Sequence, residues 1–369
     1  MHIGGKHFTS IWVDPGNREK IFVIDQTGLP FNFRTLTLES VEDAYNAIRE
    51  MVVRGAPLIG CTAAFGIYLA TLELTPLANP AEHLHNAARY LASSRPTAIN
   101  LQWALDRMTG RLSGINSRNE LIDAAFDEAM KIWNEEQDNC RKIGEAGIEI
   151  IKEISRKKGG APVNILTHCN AGWLACIDFG TATSPIYLAH DSGIPVHVWV
   201  DETRPRNQGA RLTAYELGEH GVPYTLITDN AGGYLMRAGM VDMVITGSDR
   251  TARNGDVVNK IGTYLKALAA ADNDIPFYVA LPKSSIDINI ACGDDIVIEE
   301  RGASEVTTVE GISGGEITSV RICPEKAQVS NFGFDITPAK LITGLITEGG
   351  ITRANEEEIV TLFNEKNSI

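Results

Sequence analysis

Uninterrupted apolar stretches are what this sequence has least of. No run of about 18 apolar residues without a charge is read in the sequence, which argues against a membrane-spanning helix. The N-terminus has no apolar segment of the kind that directs secretion, because Asp14, Arg18, Glu19 and Lys20 fall close together. The expectation is a soluble, unexported, cytoplasmic chain. Positive charge is also in deficit: the formal net charge is −14 over 369 residues, which excludes broad contact with nucleic acid or anionic membrane. An anionic ligand must then meet a local cluster of cations. The six cysteines, Cys61, Cys140, Cys169, Cys176, Cys292 and Cys323, are scattered and none forms a C-x-x-C pair, so reduced thiols and no structural zinc are expected. The H-E-x-x-H, Walker A, G-x-G-x-x-G and G-x-S-x-G patterns are missing from any fitting context, which removes the usual support for metalloprotease, nucleoside triphosphatase, dehydrogenase and α/β-hydrolase readings. There is no repeat and no low-complexity tract, and Glu356-Glu357-Glu358 reads as a solvated helix face.

What is present is average globular composition, 44% hydrophobic and 22% charged, in a chain long enough for two domains. Phe8 to Val13, Ile21 to Ile24 and Phe31 to Leu36 alternate as strands between turn residues, which predicts a small antiparallel sheet. From about Ser40 to Lys158 the period becomes helical, as in the stripe Val41, Ala44, Tyr45 and Ile48, with breaks at Gly55-Ala56-Pro57, Thr75-Pro76, Ser94-Arg95-Pro96 and Ser113-Gly114. Lys157-Lys158-Gly159-Gly160-Ala161-Pro162 reads as a linker, dividing a mainly helical domain with its small sheet, residues 1–158, from a second domain, residues 159–369. That second part has five apolar runs: Val163 to Thr167, Val196 to Val200, Tyr224 to Thr228, Met243 to Thr246 and Phe277 to Leu281. Runs of this kind, separated by helix-like stretches, predict an α/β domain with a parallel sheet covered on both faces. Each run passes directly into polar residues, and ligands in such folds sit outside the carboxyl ends of the strands.

Four clusters can carry chemistry. Arg54-Gly55-Ala56-Pro57 is either an ordinary helix boundary or a phosphate site, since Pro57 suits a first helical turn and leaves the amides of Gly55 and Ala56 pointing forward beside Arg54. Arg95 stands before a helix that Thr97 could cap; alternatively it is a solvated loop arginine. Cys169, in Thr167-His168-Cys169-Asn170-Ala171-Gly172, is either an inert buried thiol or a reactive one, its place before an expected helix N-terminus favouring the thiolate. His168 should point to the other side, which disfavours a Cys-His dyad. In Gly247 to Gly262, Asp249 follows a buried strand, Asn254-Gly255 forms a turn, and Asp256 reads as a turn or cap residue. Asn259-Lys260 is expected to open the next helix, where a lysine is explained by an anion in front of it.

Together with Asp201-Glu202-Thr203-Arg204-Pro205 and Gln208-Gly209-Ala210-Arg211, these segments resemble the methylthioribose-1-phosphate isomerases of methionine salvage, a family that also holds the regulatory subunits of translation initiation factor 2B. The resemblance implies Cys169 and Asp249 as catalytic pair, and Arg54, Arg95, Gln208, Asn259 and Lys260 as sugar-phosphate ligands beside the amides of Gly55 and Ala56. It also implies a Rossmann-like C-terminal domain and a homodimer. An aldose phosphorylated at its anomeric oxygen cannot open until the ring oxygen is protonated, so a general acid must act first, and burial would raise a carboxyl to that task. Asp249 is expected to move protons at the ring oxygen and the C2 hydroxyl, with Cys169 as base at C2 or as a polar wall. No metal or organic cofactor is required. Two residues depart from the family pattern: Trp173, where a small residue is usual, and Ser248. Trp173 is expected either to bound the pocket for the sugar's 5-substituent or to pack into the core. The alternatives are isomerases of 5-deoxyribose 1-phosphate or ribose 1,5-bisphosphate, and a noncatalytic regulatory subunit.

Overall fold

The computed structural model describes residues 1–364. The first turn-separated runs pair as a three-stranded antiparallel sheet, Ile11–Asp14, Asn17–Ile24 and Thr35–Leu38. Its third strand starts later than the sequence suggests, because the Gly28 carbonyl accepts from the amides of both Phe31 and Asn32 and holds that stretch as a turn. Five long helices follow: Val41–Arg49, Ala56–Glu73, Pro80–Ala92, Ile99–Leu112 and Arg118–Lys157. Their starts follow from side-chain chemistry. Ser40 caps the first by accepting from the Asp43 amide, and Asn79 caps the third ahead of Pro80. The expected Thr97 cap does not form: Ala98 precedes the fourth helix without a side-chain bond.

The helix Ala56–Glu73 corrects the expectation that no segment could span a membrane. It is long and apolar enough to do so, with a mean hydropathy of 1.4 over 18 residues, but 83% of it is buried in the protein. Leu58, Phe65, Ile67 and Leu69 on its successive faces are fully buried, so the helix is apolar all round because other elements surround it. Each such side chain contributes roughly 1.5–3 kcal/mol relative to exposure.

After Lys157 the chain turns through Gly159 and Gly160, both in left-handed backbone (φ 63° and 84°), and enters a seven-stranded sheet at Val163. The strand order is Gly350–Thr352, Gly344–Thr347, Phe277–Ala280, Met243–Thr246, Val163–Thr167, Val196–Asp201 and Tyr224–Ile227. All neighbours are parallel except the first pair. The five expected runs are all strands, but Tyr224–Ile227 lies at the sheet edge, where Tyr224 and Leu226 are exposed rather than covered.

A second sheet was not foreseen. It joins Ile286–Asp287, Arg250–Ala252, Val257–Lys260 and Phe334–Thr337. Asn254-Gly255 is indeed a turn, with Gly255 at φ 92°, but it closes a β-hairpin. Asn259 and Lys260 therefore belong to a strand and do not open a helix. The next helix, Thr263–Asp272, begins beyond Gly262, whose φ of 102° breaks the strand. An exposed hairpin, Thr308–Ser313 with Glu316–Arg321, stands outside both sheets.

Candidate active site

The strand Val163–Thr167 delivers His168 and Cys169 to its carboxyl end. Cys169 sits in left-handed backbone, φ 65°, a conformation that a non-glycine residue keeps only when its surroundings impose it. Here they do: the Cys169 amide donates to Thr203 Oγ1 (2.8 Å), and Thr213 Oγ1 donates to the Cys169 carbonyl (2.6 Å). His168 turns away, as expected. Its Nδ1 lies 2.9 Å from Asp201 Oδ2 and its Nε2 is 2.8 Å from the Ile261 carbonyl, so it is held clear of the thiol. His168, Asp201 and Asp229 bring donor atoms within 4.8 Å of one another, as a metal site would. The Lys266 ammonium already supplies the cation there, 3.0 Å from Asp201 Oδ2 and 2.5 Å from the Asp229 carbonyl.

No helix of any length starts at Cys169. Only the three-residue turn Trp173–Ala175 precedes the helix Ser184–Asp191, so the expected stabilisation of a thiolate by a helix end is absent. Burial pushes the Cys169 thiol up, against the opposing pull of Arg54 and Lys260.

Asp249 comes from the next strand end. Gly247 lets it approach, since a Cβ there would lie 2.5 Å from Ala171 Cβ, and the Asp249 amide donates to the Val258 carbonyl (3.0 Å). Cys169 and Asp249 line one cavity with Arg54, Gly55, Ala56 and Asn259. Gly55, at φ 95°, is required at its place: a Cβ would meet the Ala175 carbonyl oxygen at 2.4 Å. The helix Ala56–Glu73 then starts against the cavity wall, with Pro57 in its first turn.

The cations gather around this pair. The buried Arg54 guanidinium donates to Asn170 Oδ1 (2.5 Å) and to the Asn170 carbonyl (2.9 Å). The Lys260 ammonium donates to the Gly333 carbonyl (2.9 Å) and lies 4.4 Å from the centre of the Phe334 ring. Burial pushes Lys260 down, while Cys169 and Asp249 oppose that shift. Burial likewise lowers Arg95, with Asp249 and Glu299 opposing. Its guanidinium has no hydrogen-bond partner among the described residues. Asn259 is braced by donating to Thr263 Oγ1 (3.0 Å). Gln208 lies in an adjoining cavity that shares Arg54 as its wall; its side chain is buried and Oε1 has no partner.

Sequence reasoning missed Arg301 and Glu216, and named Asn170 in the cysteine motif without giving it a role. Arg301 pairs with Glu305 and Glu299 and faces Asp249 and Lys260. Nothing local in Glu300-Arg301-Gly302 marks it. Glu216 is fully buried and binds the Asn170 amide. Burial pushes its carboxyl up to about 8, against the Leu174 amide and Arg54. Trp173 does not line the cavity. It is fully buried in the core that includes Ile24, Leu29, Leu212 and Leu217, which retires the pocket alternative.

The sequence pattern of the initiation factor 2 subunit family matches residues 52–354. A methylthioribose-1-phosphate isomerase of Desulfatibacillum aliphaticivorans is 52% identical over 367 residues, 99% of this chain and 100% of its own length. One from Methylorubrum populi is 56% identical over 368 residues, covering 99% of each. The chain belongs to this isomerase branch of the family. The crystal structure of 5-methylthioribose 1-phosphate isomerase from Pyrococcus horikoshii superposes with a TM-score of 0.83 at 37% identity, covering 98% of this chain and 97% of that one. A structure from A. fulgidus described as translation initiation factor eIF-2B, subunit delta, gives 0.79 at 38% identity, covering 97% and 100%. Within the family, then, the fold joins a helical N-terminal region to a large, mostly parallel sheet, as the sequence predicts.

Proposed function

We propose that this chain converts 5-methylthioribose 1-phosphate to 5-methylthioribulose 1-phosphate, with Cys169 and Asp249 at the reacting carbons. In this reading Arg54, Gly55, Ala56, Arg95, Gln208, Asn259 and Lys260 hold the sugar phosphate. One observation carries the proposal: Arg54, Arg95 and Lys260 gather at the thiol–carboxylate pair, and none of them forms an ion pair among the described residues. In a chain of net charge −14, three unpaired and largely desolvated cations are costly unless an anion completes them. A phosphate dianion does so.

The anomeric phosphate blocks opening to a free aldehyde. The Asp249 carboxyl gives its proton to the ring oxygen O4 as the C1–O4 bond breaks. C2 then passes its hydrogen, with the electron pair, to C1, while the Asp249 carboxylate takes the C2 hydroxyl proton. The carboxyl returns to its starting form, C2 is a ketone, and C1 is a phosphorylated CH2. Burial pushes the Cys169 thiol up, which favours a polar wall over a thiolate base and so supports hydride movement over proton removal at C2. The chemistry as drawn uses no metal or organic cofactor. The same reading carries a cytoplasmic homodimer that engages neither nucleic acid nor membrane, with a helical half at residues 1–158 and a Rossmann-like catalytic half at residues 159–369.

The testing experiment compares turnover of the purified chain on 5-methylthioribose 1-phosphate, 5-deoxyribose 1-phosphate and ribose 1,5-bisphosphate. The first is expected to be preferred. Binding without turnover of any would make the chain a regulatory subunit instead. Substrate deuterated at C2 is expected to keep its label at C1 of the product; loss of the label to solvent would assign a base at C2.

Arg54→Ala is expected to raise KM roughly tenfold or more with a smaller change in kcat, since a charge-assisted contact to phosphate is worth about 1.5–3 kcal/mol. An unchanged KM, with unchanged inhibition by product, would reduce Arg54 to a structural residue.

A further inference from the structure

We infer that Glu216 is a positioning residue for phosphate binding: it fixes which way the Asn170 amide faces, and through that amide it sets the Arg54 guanidinium. The inference rests on the reading above in taking Arg54 as a phosphate ligand.

The chain of contacts is continuous and buried. Glu216 lies on the short helix Ala214–His220 and is fully enclosed. Its Oε1 accepts from Asn170 Nδ2 (3.0 Å), and its Oε2 accepts from the Leu174 amide (3.2 Å). Asn170 Nδ2 also donates to Thr213 Oγ1 (3.1 Å). Both amide hydrogens are thereby engaged on one side. The amide oxygen is left facing Arg54, where it accepts from Nη1, while the Asn170 carbonyl accepts from Nη2.

An asparagine amide is nearly symmetric in shape, so only its partners decide which end is which. Rotated by half a turn, Asn170 would set its NH2 against a guanidinium, donor against donor, and its oxygen against the Glu216 carboxyl. Arg54 penalises that rotation on one side; on the other it is penalised by the Thr213 hydroxyl, whose proton goes to the Cys169 carbonyl, and by Glu216 in the ionised form that its carboxyl takes above about 8. Arg54 in turn has donors to spare, because a guanidinium carries five N–H groups and Asn170 engages two groups of its fork. The remaining N–H groups are left without a protein partner among the described residues, on a residue that lines the cavity.

Gly172 shows that the fold makes room for this contact. A Cβ at that position would lie 1.3 Å from Glu216 Oε1, so the glycine that closes the His168-to-Gly172 motif is what admits the carboxyl to Asn170. Asn170 and Gly172 thus have one explanation. The motif that presents Cys169 also presents the acceptor for Arg54, and a residue 46 positions from Asn170 sets its polarity.

The test is a double-mutant cycle read on phosphate binding. Glu216→Met strips both acceptors at similar length, and Glu216→Gln keeps one acceptor oxygen. Each is measured with Arg54 intact and with Arg54→Ala, by KM for 5-methylthioribose 1-phosphate and by the inorganic phosphate concentration giving half of the melting-temperature rise. With Arg54 intact, Glu216→Met is expected to raise both about fivefold to tenfold, as loss of one buried hydrogen bond would, and Glu216→Gln to recover part of the loss. With Arg54→Ala present, Glu216→Met is expected to add no further change. Equal factors in both backgrounds, or a lower melting midpoint with unchanged KM, would overturn the inference. Should Glu216→Met not accumulate as folded protein, Asn170→Ala with and without Arg54→Ala reads the same link. Additive effects there would likewise overturn it. If the unmodified chain turned over none of the sugar phosphates, the isomerase reading would fail, while the inorganic phosphate cycle would still decide the link from Glu216 to Arg54.

Discussion

Asp249→Asn and Cys169→Ser are each expected to fold as the unmodified chain does; Asp249→Asn is expected to lose at least roughly a hundredfold in kcat, the lower range for a positioned acid or base, and Cys169→Ser to lose a smaller but measurable factor, because its thiol is a wall of the site and moves no proton. Folding should survive because the backbone at both positions is held by groups that neither change touches. The Asp249 amide keeps its bond to the Val258 carbonyl, and Cys169 keeps its clamps from Thr203 and Thr213. Chemistry should not survive in Asp249→Asn, because an amide can neither deliver a proton to the ring oxygen nor take one from the C2 hydroxyl. Cys169→Ser exchanges a large, polarizable sulfur for a smaller, more polar hydroxyl at the wall where charge develops, so its loss is expected to be the lesser of the two. Melting curves beside kcat on each preparation separate lost chemistry from lost structure. Near-wild-type turnover by either folded variant would remove that residue from the catalytic pair.

The sequence was legible where local pattern and tertiary environment agree. Val163 to Thr167 and Met243 to Thr246 are central strands covered on both faces, and their continuous apolar character says so. Gly344–Thr347 is equally buried, but its four residues begin on a glycine and are followed by Glu348 and two more glycines, which reads as a turn. The strand Val257–Lys260 was hidden for a different reason. Lys260 is fully polar by type yet buried, held by the Gly333 carbonyl and the Phe334 ring, partners 73 and 74 positions away. No helix end therefore stands at Lys260; what supports an anion there is its burial near Asp249 and Cys169 without a salt bridge among the described residues.

The same division runs through the site. Arg54, Cys169 and Asp249 stand at element ends, where a strand or helix boundary is visible in the sequence. Glu216 lies inside a short helix and Arg301 in an irregular segment; Glu216 takes its place through contacts far along the chain, with Asn170 and Leu174, and Arg301 joins its near partners Glu299 and Glu305 to the distant Met51. Single-residue context cannot mark such positions. The motif around Cys169 did contain a signal for one of them: a glycine at position 172, outside any turn with positive φ, asks what lies against it, and the answer is the Glu216 carboxyl.

Trp173→Ala is expected to lower the melting midpoint by a cavity cost of roughly 3–5 kcal/mol while leaving the preference between 5-methylthioribose 1-phosphate and 5-deoxyribose 1-phosphate unchanged. The indole is fully buried in the core that carries Ile24, Leu29, Leu212 and Leu217, and it takes no part in the cavity of Cys169 and Asp249. Truncation therefore leaves a void in a core shared by elements far apart in the chain. Ile24 belongs to the small antiparallel sheet, and Leu212 and Leu217 lie in the helical turn and helix that carry Thr213 and Glu216. The Trp173 carbonyl also accepts from Ser10 Oγ (2.9 Å), a backbone contact that the substitution leaves in place, so the loss measured is that of the side chain. Discrimination between a methylthio group and a hydrogen is worth only about 1–3 kcal/mol in an apolar pocket, or tenfold and upward in kcat/KM, a shift that steady-state rates resolve. Measuring the rate ratio and the melting curve on one preparation separates the two roles: a changed ratio at an unchanged midpoint would return Trp173 to the substrate pocket, and a lowered midpoint at a constant ratio is the outcome its burial requires.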